Sequence, residues 1–431
     1  MSLGSTMALT LVHDAPHRPR GLNGGTLSYS PDDLAYIVSQ FQVDVPIQLD
    51  DFPEKGNINL HTYWLKDSSN TEYLLQKVNS NVFTRPYRVM DSMMASISAQ
   101  NKGLEVHPED WVPITLVPTR FDSNYLDISD EHGWSVWRLM HRIPDVVTFK
   151  SLGAVSADKR DHVAFQVGRG LALYSELTAS MPANLASPLP GYRHTDIYFM
   201  QLDAVLAGVR GPHQAIKFLP EDEELQEATG LHFMVHLSPE EAEARREAVE
   251  PWVDFLMEHR GKAMILHNSL QSGLVRKGMI HGDTKIENFL FCKDTYNVKS
   301  LIDLDTIVPG TWLSDWGDMV RSLVNVAGET EEDLANVVVC RETYETVTRG
   351  FLSAAGNIPP QELSLMVDAV ISITLELGAR FLADYLRGDT YFGVTEGHRD
   401  LNLTRAAVQL SLAQSLMDYE HEARAMIAAH S

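Results

Sequence analysis

The 431-residue chain is short of cysteine, of basic charge and of unbroken apolar runs, and each shortage excludes a class of protein. Its two cysteines, Cys292 and Cys340, lie far apart in no ligand-type spacing. That excludes a zinc cluster or a disulfide framework and implies core thiols in a reducing, cytoplasmic setting. Lys and Arg total 35 against 58 Asp and Glu, a formal charge of −23, with no long basic run. Binding to nucleic acid or to an anionic membrane needs concentrated Lys and Arg, so neither partner is expected. The most apolar helical stretch, Leu363 to Leu386, contains Asp368, Glu376, Arg380 and Asp384. A bilayer span of about 20 apolar residues does not carry so many charges, so this stretch reads as a buried helix. No internal repeat or extended low-complexity tract is present.

What remains is a chain long enough for two or three structural units, with 44% hydrophobic residues. Residues 1–25 are rich in Gly, Pro and His, have no apolar signal-peptide core, and read as a flexible N-terminal arm. Residues 26–140 read as a small mixed unit. Ser30-Pro31-Asp32-Asp33 forms a helix-capping pattern ahead of Leu34, Ile37, Val38 and Phe41. Ile58 to Leu65 and Glu72 to Val78 flank the turn-forming Asp67-Ser68-Ser69-Asn70 and predict a hairpin. Arg85 to Ala99 predicts a helix, and Ile114 to Val117 and Trp134 to His141 predict strands. Residues 141–431 are mainly helical by periodicity, interrupted by one β-rich island, Met279 to Ile307. The fold class is α+β in two lobes. Residues 221–250 hold ten acids and two arginines, expected to be a solvated helical face.

The island carries chemistry. In His281-Gly282-Asp283-Thr284-Lys285-Ile286-Glu287-Asn288, polar residues lie between the apolar runs Met279-Ile280 and Phe289-Leu290-Phe291, hence on a loop between buried strands. Ser300-Leu301-Ile302-Asp303-Leu304-Asp305 then delivers a further carboxylate from a strand end. Phosphoryl transfer needs a carboxylate to orient or deprotonate the attacking hydroxyl, and hard oxygen ligands for Mg²⁺ on the ATP phosphates. Asp283 suits the first task, Asn288 and Asp303 the second. Lys285 can neutralise charge on the transferred group, and His281 is expected to hold the loop by hydrogen bonds. Asp305 either supports the metal or serves only a turn.

This order of residues resembles the catalytic loop of the aminoglycoside phosphotransferase and choline kinase-like superfamily, whose fold is protein-kinase-like. The resemblance implies a small β-sheet N-lobe for nucleotide and a helical C-lobe with the catalytic loop and acceptor site. In that frame Asp315 of Trp312-Leu313-Ser314-Asp315 caps a helix and braces the loop, with Arg321 as its partner. The turn at Gly56 and Asn57 meets phosphates, Lys77 at the end of the third strand contacts them too, and Asp91 on the next helix pairs with Lys77. Trp137-Arg138-Leu139-Met140 connects the lobes, and the backbone at Trp137 and Leu139 meets adenine.

Further stretches resemble the N-acetylhexosamine 1-kinases: Gly56-Asn57-Ile58-Asn59, Tyr73-Leu74-Leu75-Gln76-Lys77-Val78-Asn79, Ile302-Asp303-Leu304-Asp305-Thr306, and Leu375 to Leu386 with Gly388-Asp389-Thr390-Tyr391-Phe392. Gly282 departs from that branch, where Asn is expected. The resemblance implies transfer to the anomeric hydroxyl of a small-molecule sugar, with Arg380 and Tyr391 bordering the pocket. Arg380 as a surface ion-pair member and Tyr391 as a core aromatic are the alternatives. An amino-alcohol or aminoglycoside kinase, and a non-catalytic binding protein with a kinase fold, compete with the sugar kinase. Oligomeric state is not legible.

Overall fold

Ser30 starts helix α1 (Pro31–Ser39): its hydroxyl accepts the Asp33 N–H at 3.2 Å, and the Asp33 carboxylate accepts the Ser30 N–H at 2.9 Å. This is the capping box expected from the sequence. The structure is a computed structural model that describes residues 29–44, 48–53, 58–130, 133–394 and 398–430. The N-terminal arm and the Gly56-Asn57 turn lie outside those residues.

Helix α1 packs on a five-stranded antiparallel sheet of order β1-β2-β3-β5-β4. Its strands are β1 (Gln48–Asp51), β2 (Thr62–Lys66), β3 (Glu72–Lys77), β4 (Leu126–Asp130) and β5 (Gly133–His141). In the β2–β3 turn, Asp67 accepts the Ser69 and Thr71 N–H groups and the Tyr73 hydroxyl, which sets Thr62 opposite Gln76 and Lys66 opposite Glu72. Because side chains alternate between faces of a strand, Tyr73, Leu75, Trp137 and Leu139 join the α1 core. Gln76 and its register partner Arg138 take the opposite face. Helix α2 (Pro86–Val106) buries Val89, Met90 and Met93 in the main core.

The strand expected at 114–117 is reduced to one bridge, Leu116 to Met140. Strands β1 and β4 were not foreseen, because four or five half-polar residues give too short a run of alternation to register.

The C-lobe comprises β6 (Val146–Val147), α3 (Arg160–Thr178), α4 (Thr195–Leu206), α5 (Pro239–Glu258), β7 (Gly278–Ile280), β8 (Phe289–Cys292), β9 (Val298–Leu301), β10 (Val308–Gly310), α6 (Trp312–Val324), α7 (Arg341–Leu352), α8 (Met366–Arg387) and α9 (Leu401–His430). Helix α8 is its axis, buried everywhere except at Asp368 and Arg380. Gly317 lets α6 cross it closely: a Cβ there would lie 2.6 Å from the Ala369 carbonyl oxygen. Among the described residues no helix is long and apolar enough to cross a membrane. The β-rich island forms the pairs β7–β10 and β8–β9, with β6 added to β8. These pairs hold loop 281–288 against turn 302–307.

Two expectations need correction. Cys292 and Cys340 are free but only half-buried, at strand and helix ends rather than in the core. Part of the acidic stretch does more than meet solvent: Glu227 pairs with Arg85 at 2.9 Å, and Glu224 pairs with Arg88, both at the start of α2.

Candidate active site

The loop after β7 is fixed by its own backbone. The Asp315 carboxylate on α6 accepts the His281 N–H at 2.7 Å and the Gly282 N–H at 2.8 Å. The Thr284 N–H reaches Asp318 at 3.1 Å, and its hydroxyl reaches the Asp315 carbonyl at 2.7 Å. Asp315 therefore braces the loop, but the N-cap of α6 is Thr311. Arg321 pairs with Asp318, three residues away on the same helix, not with Asp315.

His281 is fully buried; its Nε2 donates to the Ile302 carbonyl at 2.9 Å, which leaves Nδ1 to accept the Asp283 N–H at 3.3 Å. Burial lowers its pKa, so the ring is a neutral strut between loop and turn. Gly282 has φ +84°, and a Cβ there would meet the Thr306 carbonyl oxygen at 2.4 Å. The position is thus closed to other residues by both backbone conformation and contact.

The three oxygen-bearing groups expected to converge do so. The Asn288 amide donates to the Asp283 carbonyl at 2.8 Å and carboxylate at 3.1 Å. Its Oδ1 receives no donor among the described residues. The Ile302 N–H binds the Asn288 carbonyl at 2.9 Å, so β8–β9 pairing delivers Asp303 beside Asn288. Asp303 adopts φ +65°. Desolvation, then the Asp305 and Asp283 carboxylates, push its pKa up to about 7.

Lys285 lies 3.3 Å from Asp283 and 2.7 Å from Glu287. Burial opposes its charge, but those two carboxylates raise its pKa above the usual lysine range. Among the described residues no three His, Cys, Asp or Glu side chains form a self-sufficient metal cage. One amide oxygen and one crowded carboxylate instead suit a hard divalent cation that keeps phosphate and water ligands. The donor set fits a divalent cation on a nucleotide, which Asn288 and Asp303 would hold.

A second tier of residues escaped the sequence reading. Arg193, at φ +62° before α4, donates to the Gly282 carbonyl at 2.7 Å, pairs with Asp318 at 3.0 Å, and pairs with Glu376 of α8 at 3.3 Å. Tyr192 donates to the same carbonyl at 2.7 Å, and Thr195 to Glu376 at 2.6 Å. Polar Tyr192-Arg193-His194-Thr195 directly before the apolar helix Ile197 to Val205 was the available signal.

Burial opposes the charge on Asp318, yet Arg321 and Arg193 hold its pKa well below the usual carboxylate range. A depressed folded pKa stabilises the protein fully above the unfolded value, and that contribution is lost as pH falls through the folded one. Wild-type protein and Asp318→Asn are therefore expected to differ most in urea midpoint at pH 7 and to converge as pH falls below 4. A gap that stays constant with pH would show that the Asp318 charge is not what stabilises.

On the nucleotide side the structure redraws the expectations. Lys77 donates to the Tyr29 hydroxyl at 2.7 Å on the α1 face of the sheet, because it shares the face of Trp137, its partner in register. Asp91 is exposed on α2, and its charge acts on Tyr125. The expected Lys77–Asp91 pair thus joins residues whose side chains are engaged elsewhere.

Trp137 and Leu139 are interior to β5, and both flanks of that strand are taken. Val78 N–H binds the Val136 carbonyl at 2.9 Å, and Val117 N–H binds the Leu139 carbonyl at 2.8 Å. The connection between the lobes accordingly follows His141 rather than spanning 137–140. The cation that β3 and β5 present on the face opposite α1 is Arg138, whose Nε donates to Gln76 at 3.0 Å and whose Nη1 lies 2.5 Å from Asp305.

The two residues expected to border the acceptor, Arg380 and Tyr391, come together. The Arg380 guanidinium carbon sits 4.8 Å from the Tyr198 ring centroid, 5.2 Å from Tyr192, 5.3 Å from Phe392 and 5.7 Å from Tyr391. Among the described residues no oxygen accepts a hydrogen bond from it. Asp384, one turn further along α8, accepts the N–H groups of Tyr391 at 3.0 Å and Phe392 at 2.8 Å and so shapes the turn that carries both rings. His232 packs edge-on to Tyr391 at 5.3 Å. Burial, then Arg387 and Arg380, lower its pKa to about 3, so it stays neutral.

A two-lobed fold whose loops bring together a carboxylate, an amide, a second carboxylate and a lysine is what phosphoryl transfer from a nucleotide calls for. Residues 52–338 match the phosphotransferase enzyme family (APH), and the chain belongs to that family. It is an ATP-dependent phosphotransferase acting on a hydroxyl group. Among solved structures it is similar to a microcompartment-associated aminopropanol kinase, at 16% identity over 90% of this chain and 97% of that one, TM-score 0.53. It is also similar to an aminoglycoside phosphotransferase from Alicyclobacillus acidocaldarius, at 15% identity over 93% of this chain and 98% of that one, TM-score 0.53. At these identities the likeness is one of fold.

Proposed function

We propose that the chain transfers the γ-phosphoryl group of Mg²⁺·ATP to the anomeric hydroxyl of an N-acetylhexosamine in the cytoplasm. The observation that carries this reading is the caged Arg380. A permanent cation ringed by Tyr192, Tyr198, Tyr391 and Phe392, with no hydrogen-bond acceptor among the described residues, offers N–H donors to neutral hydroxyl and carbonyl oxygens. It repels an ammonium group. The two relatives above act, by their names, on an aminopropanol and on an aminoglycoside; an amine acceptor would meet like charge here.

Asp283 orients the hydroxyl and takes its proton as the acceptor oxygen bonds to the γ-phosphorus and the bond to the ADP oxygen breaks. Lys285 offsets charge on the group in transit. Bound Mg²⁺ would supply charge neutralisation on the phosphates. Asn288, tethered to Asp283, and Asp303, delivered by β9, are the side chains that would hold it.

Replacing Arg380 by Met is expected to raise KM for the N-acetylhexosamine about tenfold or more, the scale of a lost hydrogen bond to a charged group, with KM for ATP nearly unchanged. An unchanged sugar KM, or improved turnover of an amino alcohol by wild-type protein relative to the sugar, would refute the acceptor assignment.

A further inference from the structure

We infer that Arg138 is a positioning residue which, through Asp305, fastens the turn of Asp303 to the N-lobe, so that metal and nucleotide are gripped as one unit. The inference rests on the metal role proposed for Asp303. Asp305 lies two residues beyond Asp303 in the single helical turn Leu304–Thr306. One carboxylate oxygen is 2.5 Å from Arg138 Nη1 of β5, and the other accepts from the Asn59 amide at 2.7 Å. Asn59 is itself anchored in the connection between β1 and β2, where its Oδ1 accepts the Asn79 N–H at 3.0 Å and its carbonyl accepts the Thr62 hydroxyl at 2.7 Å.

The other end of the turn is pinned to the C-lobe, where the Thr306 hydroxyl donates to the His281 carbonyl at 2.9 Å. Asp303 therefore hangs between an N-lobe anchor and a catalytic-loop anchor. Arg138, Asp305 and Asn59 are exposed by only 2%, 1% and 6%. Burying a charged pair this completely gives little net stability over an apolar packing, so stability alone does not account for it. What the pair does provide is a fixed distance. The carboxylate that would meet the metal cannot shift without moving the strand and loop that face the nucleotide. Lys77 cannot serve, since it points to the α1 face; the alternation of β3 leaves Gln76 on this side, and Gln76 steadies the Arg138 fork.

The test is ADP affinity by calorimetry, with Mg²⁺ and with a chelator, on the full chain. In the wild-type protein Mg²⁺ strengthens ADP binding. In Arg138→Met that strengthening should fall about tenfold or more, the size of coupling between directly linked groups, while chelator-only affinity and acceptor KM stay within about threefold. Asn59→Ala, which removes an uncharged donor to the same carboxylate along with the acceptor of the Asn79 N–H, should show a smaller loss in the same direction. The double variant Arg138→Met/Asp305→Asn removes both charges. It should recover the thermal midpoint lost by the single variant yet not the Mg²⁺ effect, which separates positioning from folding. Equal losses with and without Mg²⁺, or a double variant with full Mg²⁺ strengthening, would overturn the inference while leaving Asp303 as a ligand. Full strengthening in Asp303→Asn would overturn the inference together with the metal assignment.

Discussion

Asp283→Asn is expected to lower kcat about 10³-fold, within the range for removal of a positioned general base, and to leave nucleotide affinity within about threefold. The substitution keeps the shape of a side chain whose neighbours are fixed independently. The loop backbone is held by Asp315 and Asp318, and the ring of His281 is held by Ile302. Lys285 keeps Glu287 at 2.7 Å when it loses Asp283. What disappears is the carboxylate oxygen proposed to take the acceptor's proton. Steady-state turnover by ADP release, paired with an ADP titration, measures both halves. Wild-type turnover in this variant would dismiss Asp283 as the base, and a large loss of ADP affinity would mean that the carboxylate organises the nucleotide site instead.

Arg193→Met should be the most destabilising single change in the catalytic region. The guanidinium lies between Asp318 and Glu376, both essentially excluded from solvent, and also serves the Gly282 carbonyl. Removing one partner of a buried ion pair strands the charge that remains, which costs about 3–5 kcal/mol. Here Arg321 still neutralises part of Asp318, while among the described residues Glu376 retains only the Thr195 hydroxyl as a hydrogen-bond partner. A urea titration reads the loss directly as a lower midpoint. A shift under about 0.5 kcal/mol, typical of a surface substitution, would show that the network does not brace the loop. Arg380→Met offers the contrast, because it breaks no ion pair among the described residues and its effect should fall on acceptor KM rather than on the midpoint.

The residues legible in sequence and those that were not differ in a physical way. Loop 281–288 and Asp303 could be read because chemistry ties residue type to short spacing, and β8–β9 pairing then brings Asn288 and Asp303 together. The hairpin and the α1 capping box could be read because their signals are local. The nucleotide side failed at the level of one residue. Lys77 and Gln76 are adjacent, and in a strand adjacency means opposite faces; which face met the cleft depended on α1 covering Leu75 and Trp137. The lobe connection was placed too early because β5 runs nine residues, through Trp137 and Leu139 to His141. Arg193, Glu376 and Arg138 act through partners distant in the chain; Arg193 is marked locally by the polar run Tyr192 to Thr195 before α4, and no local pattern marks the other two. Arg380 and Tyr391 were legible through family resemblance alone. The structure adds that Asp384 and the rings of Tyr192 and Tyr198 are what bring them together.

The most direct test of the central claim is the identity of the molecule that receives phosphate. Purified protein with Mg²⁺ and ATP labelled in the γ-phosphate should transfer label to N-acetylhexosamines, giving a product labile to mild acid as anomeric phosphates are, with little transfer to choline, amino alcohols or aminoglycosides. Efficient labelling of an amine-bearing acceptor, or an acid-stable sugar phosphate, would contradict the account.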